Sequence, residues 1–130
     1  MPPTYDAVVK AARMTATRDG VAGGTLEVLS AGNTVLAVFT LTAGAGTVAA
    51  DIWTLALAAN EVNGALAAGD GTIATKARIK NSGGTVRISG LTVGLPDSTA
   101  DLKLVNIWIS KNQPVKIAVP ATFQHAPDPA

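Results

Sequence analysis

Beyond residue 24, apolar and polar positions alternate over most of the chain, in short runs separated by Gly, Asn, Asp and Pro. The clearest case is residues 75–94, TKARIKNSGGTVRISGLTVG. Successive side chains of a strand point to opposite faces, so Lys76, Arg78 and Lys80 share one face and Ala77 and Ile79 the other. Asn81-Ser82-Gly83-Gly84 has turn chemistry. Val86 and Ile88 return on one face, with Thr85, Arg87 and Ser89 on the other. Residues 91–95 continue that strand past Gly90, with a bulge near the glycine.

The remaining strands follow the same rule. Residues 25–30 (TLEVLS) and 34–42 (TVLAVFTLT) flank an Ala31-Gly32-Asn33 turn. In the second run Val35, Ala37, Phe39 and Leu41 form one face, and Leu36 and Val38 make the other apolar too. That pattern predicts a central strand covered on both sides. Ala43-Gly44-Ala45-Gly46 reads as a flexible turn into residues 47–58, where Trp53, Leu55 and Leu57 share a face. Residues 58–71 (AANEVNGALAAGDG) have the Ala content for a short helix, but Asn60, Asn63, Gly64, Gly69 and Gly71 argue for a long loop, and residues 72–80 read as the strand entering the hairpin. In residues 101–110 (DLKLVNIWIS) the alternation changes phase at Val105, which implies a bulge there or burial on both faces. Residues 115–119 form a strand bracketed by Pro114 and Pro120, and residues 121–126 a last short one.

Before residue 20 the period is helical. Tyr5, Val8, Val9, Ala12 and Ala16 fall on one stripe, with Thr4 as N-cap, Asp6 in the first turn and Asp19-Gly20 as the stop. This predicts a helix from Tyr5 to about Arg18, anchored by Tyr5, Val8 and Val9 on the sheet or on a neighbouring subunit. The sum is a mainly β protein: an antiparallel β-sandwich or small barrel of about seven or eight short strands with one N-terminal helix. The organisation expected is an arm and helix over residues 1–20, a β domain over 21–126 and a tail over 127–130.

Composition narrows the functional classes. The 130 residues suit one domain. Only 15% are charged against 48% hydrophobic, many of them Ala. Such a surface suits a chain that covers part of itself with copies or partners, hence an expected homo-oligomer. A net charge of +1 and five aromatic residues give no footprint for nucleic acid. There is no Cys, and His125 is the sole histidine, so neither a thiolate site nor a clustered His/Cys metal site can be built. No G-x-S-x-G or phosphate-loop motif occurs, and nothing ties any two of the carboxylates together. The reading is therefore of a non-enzyme without cofactor or metal. No run approaches a membrane span, and the N-terminus MPPTYDAVVK has no apolar signal-peptide core.

Three features remain as candidate contact sites. The Lys76, Arg78 and Lys80 stripe fits a solvated edge strand, or a docking face for an acidic protein surface. Trp53 fits a core or interface aromatic. Either Trp53 or Trp108 could serve as the stacking platform of a carbohydrate-binding sandwich.

Four stretches together carry a resemblance: TYDAVVKAARMTATRD (4–19), GTLEVLSAGNTVLAVFTL (24–41), ARIKNSGGTVRISGLTVG (77–94) and NIWISKNQPVKIAVPATFQHA (106–126). The chain resembles a group of short proteins encoded in tailed-bacteriophage and prophage genomes, usually in the structural gene region. The resemblance implies a virion protein, assembled in the bacterial cytoplasm, and brings no catalytic residues with it. The role expected is a capsid decoration (cement) protein, a homo-oligomer with a trimer favoured. Its partner would be the major capsid protein or another virion protein. A neck or tail appendage is the alternative.

Overall fold

The computed structural model describes residues 6–49, 52–65, 68–119 and 121–124. Among these residues one helix precedes eleven strands: α1 (Ala7–Val21), β1 (Thr25–Leu29), β2 (Val35–Ala49), β3 (Ile52–Leu57), β4 (Glu61–Asn63), β5 (Thr72–Ile73), β6 (Lys76–Lys80), β7 (Val86–Gly94), β8 (Leu102–Leu104), β9 (Trp108–Ile109), β10 (Pro114–Val119) and β11 (Thr122–Gln124). The protein is mainly β, as the alternation predicts. Eleven strands replace about seven or eight because two predicted strands, 72–80 and 101–110, are each divided in two and β4 lies in a predicted loop.

The sheet has a simple geometry. Nine strands form one sheet in the order β11-β3-β2-β1-β6-β7-β8-β10-β4. β11 pairs with β3 through Phe123↔Trp53, and β4 pairs with β10 through Val115↔Val62. Residues 52–63 therefore run antiparallel to β10 and β11. Between the two paired ends, Leu55 N donates to Ala121 O at 2.9 Å and Ile117 N to Asn60 O at 2.9 Å. The register slips by one residue in this interval, where the sequence places Pro120, a residue with no N–H to donate. β3 with β4 and β10 with β11 thus each make one interrupted stave, and the sheet closes on itself. Closure removes the free edges that an open sheet would expose. A cleft of about 250 Å³, lined by Thr54–Leu57, Asn60, Ile117 and Ala121, marks the slip.

All sheet pairings are antiparallel except β7–β8, which is parallel. Its loop is held by Asp101, whose carboxylate accepts from Thr92 N at 3.0 Å and from Thr92 Oγ1 at 3.2 Å. The phase change at Val105 is neither a bulge nor two-sided burial. The chain leaves the sheet there: Leu102 and Leu104 are buried in β8, Val105 is exposed, and Trp108–Ile109 pair with β5 in a separate two-stranded ribbon. The predicted strand 72–80 divides at the same place, because β5 belongs to the ribbon and β6 to the barrel. Part of the predicted loop 58–71 is strand β4.

Ala43-Gly44-Ala45-Gly46 does not turn. β2 runs through it as a bulge, with its register to β3 jumping between Leu41 and Gly46. Gly46 has φ +114, and a Cβ on it would overlap the Thr54 carbonyl across the ladder, so glycine is required. β2 is central, between β3 and β1, but its second face is covered only in part, at the fully buried Leu36. Ala37, Phe39 and Leu41 are buried while Val38 and Thr40 are exposed.

The core is a single cluster including Leu26, Val28, Phe39, Trp53, Ile79, Leu102, Leu104 and Ile109. Helix α1 adds Met14 and Val21 to it and packs against β2 and β3. The N-cap is Asp6 rather than Thr4, its carboxylate accepting from Val9 N at 2.9 Å. Asp19-Gly20 does not stop the helix. Val21 is buried, which outweighs the roughly 1 kcal/mol cost of an interior glycine, and the helix continues to it.

Candidate functional site

The helix buries the face opposite to its apolar stripe. Met14 and Val21 face the barrel, with Lys10, Ala11, Thr15 and Arg18 half-buried beside them. The Arg18 guanidinium donates to Gly46 O at 3.3 Å, which ties the helix to the bulge of β2. Val8, Val9, Ala12 and Ala16 point outward. Val8 is 77% exposed and Val9 40%. The stripe is therefore not what seats the helix on the sheet. Tyr5, predicted to extend that stripe, lies outside the described residues, as does His125.

The cationic stripe sits where alternation places it, with Ala77 and Ile79 buried on the opposite face. The edge-strand reading is overturned, because β6 lies between β1 and β7. Nor do all three cations await an acidic partner. Glu27 on β1 stands directly across from Arg78, and its Oε1 accepts from Arg78 Nε at 2.6 Å and lies 3.2 Å from Lys80 Nζ. Glu27 is buried under these two side chains. Burial on its own would raise the pKa of this carboxyl, but the hydrogen bonds and charges of Arg78 and Lys80 prevail and lower it. Sequence spacing shows the stripe but not its counter-charge, which is 51 residues away. Lys76 is partly buried and stands across from Leu29.

The two tryptophans part company. Trp53 is fully buried, its indole N–H donating to Ala45 O at 2.8 Å, with Phe123 at a ring-centroid distance of 4.9 Å. It is a core residue, and burial excludes it as a stacking platform. Trp108 is 51% exposed on the β5–β9 ribbon, beside Ile73 at 47%. These two are direct cross-strand partners and share the outer face, while Ile109 is buried on the inner one.

Among the described residues no three His, Cys, Asp or Glu side chains are grouped as metal ligands would be. No described helix is long and apolar enough to cross a membrane. The lining of the seam cleft contains no ionisable side chain. Of the residues the sequence singles out for contact, Val8 and Val9 on the outer face of α1 and Trp108 on the outer face of the ribbon stay exposed, while Val38, Ile52, Val86, Leu95 and Val105 are exposed elsewhere. No protein-family model, curated protein or solved structure matches the chain.

Proposed function

We propose that this protein is a virion structural protein of a tailed bacteriophage, a capsid decoration (cement) protein that stabilises the head by bridging neighbouring subunits. The observation that carries this reading is the two-sided helix. One face of α1 is rooted in the barrel core through Met14 and Val21, and the other presents Val8, Val9, Ala12 and Ala16 to solvent. An apolar stripe on a firmly seated helix is suited to a helix-on-protein contact, either with a sister copy or with the capsid lattice. A closed barrel beneath it leaves little free strand edge for unwanted association. The charge-poor composition and the resemblance to phage structural-region proteins support the same role. Each contact is small, and many identical copies, a trimer in the first instance, supply avidity.

The test is stoichiometry. Quantitative mass spectrometry of purified particles is expected to find this chain in a copy number comparable with the major capsid protein. A few copies per particle would favour a neck or tail appendage instead.

A further inference from the structure

The outer face of the β5–β9 ribbon is built to hold one indole in place. Gly71 lies against the ring of Trp108, where a Cβ would overlap the indole nitrogen, and Gly71 has φ +141. The backbone of Trp108 is clamped on both sides. Its N–H donates to Asn106 Oδ1 at 3.0 Å, and its carbonyl accepts from Gln113 Nε2 at 3.1 Å. Gln113 Oε1 in turn accepts from Ser110 N at 3.0 Å. The same bonds flank Ile109, which is buried in the core, and leave the neighbouring indole 51% exposed on the outer face.

We propose that Trp108 is the platform of a carbohydrate-binding site that stacks the C–H face of one pyranose ring of a neutral glycan. Three observations favour a sugar over a protein partner. The exposed apolar surface of the ribbon pair is two side chains, Trp108 and Ile73, whereas a stable protein interface needs about 800 Å² per partner. Two amide side chains, Asn106 and Gln113, are bonded to the backbone that carries the indole. After the bonds above, Asn106 and Gln113 each keep a free N–H and a free lone pair, so each can donate to and accept from adjacent ring hydroxyls. The flanking charges are of opposite sign, Asp70 next to Gly71 and Lys111 bonded through its N–H to Gly69 O, so the rim does not select a charged ligand. A pre-ordered aromatic also loses little entropy on binding. The site does not rest on the virion reading, since glycan binding by the free protein would stand wherever the protein resides.

The test begins with the intact chain on an array of neutral oligosaccharides, followed by titration with cellohexaose and maltohexaose read by tryptophan fluorescence. Trp53 is buried, so a ligand-dependent change reports Trp108. The expected result is retention of at least one neutral glycan with a dissociation constant on the order of millimolar, as suits a single stacked ring. Trp108→Ala should weaken it at least tenfold, and Trp108→Tyr should restore part of the binding. Thermal melting of each variant checks that the barrel is intact. Absence of binding across the array overturns the proposal, as does equal binding by a folded Trp108→Ala. If Trp108→Ala instead abolishes particle association and no glycan is bound, the ribbon is a protein contact and the proposal fails.

Discussion

Trp53→Ala is expected to destabilise the protein by about 4 kcal/mol, enough to unfold much of the population of a marginally stable domain. Trp53 is among the largest fully buried side chains. Its removal leaves a cavity beside Phe123 and also strips the Ala45 carbonyl of its partner. A buried acceptor left unsatisfied costs about 1–3 kcal/mol by itself. That carbonyl sits in the β2 bulge, where Ala45 already has a positive φ of 57°. The indole is thus a brace for a strained backbone as well as core filling. Trp53→Phe keeps a smaller aromatic ring and loses the N–H, so it should fall between wild type and alanine, at about 2 kcal/mol. Urea denaturation of the three proteins gives the ranking. A loss below about 1 kcal/mol for Trp53→Ala would mean that this ring is not in the core.

Glu27→Gln is expected to cost about 2 kcal/mol at neutral pH and progressively less in acid. The carboxylate is buried beneath Arg78 and Lys80, and neutralising it leaves two partly buried cations facing each other. The sign of the pH dependence follows from the lowered pKa. Folding favours the ionised form, so the contribution is fully present above the ordinary value of 4.5 and is lost as pH falls through the lower folded value. Wild type and Glu27→Gln should therefore differ most near pH 7 and converge in strong acid. Melting temperatures at a series of pH values measure this. A gap that stays constant from pH 7 down to strong acid would show that the ion cluster carries none of the difference.

The strands were legible in the sequence wherever one face is buried. Ala77 and Ile79 against Lys76, Arg78 and Lys80 gave the correct faces of β6 without tertiary information, because period-two alternation is a local signal. What alternation does not encode is pairing across distance. Glu27 meets Arg78 only because β1 lies beside β6, and this turned an apparent edge strand into an interior one. The turn expected at residues 43–46 was misplaced for a related reason. Glycine and alanine suit a turn and a bulge equally, and the decision is made by Trp53 reaching back to Ala45. In α1 the two faces are nearly equal in hydrophobicity, so the stripe of Val8, Ala12 and Ala16 outscored the shorter one ending in Met14 and Val21. The longer side chain of Met14 and the connection from Val21 to β1 settle the seating, and neither is visible in the period. Of the contact residues, Trp108 was indistinguishable from Trp53 until the ribbon separated them.

The proposed docking of the outward α1 stripe on a virion can be assayed in particles. A phage that lacks the protein is complemented with Val8→Asp/Ala12→Asp, and incorporation into purified heads is measured by quantitative mass spectrometry. Both side chains are exposed, so the variant should melt within a few degrees of wild type. The variant is expected to be folded but reduced at least tenfold in the particles. Incorporation at the wild-type level would sink the proposed role of this stripe.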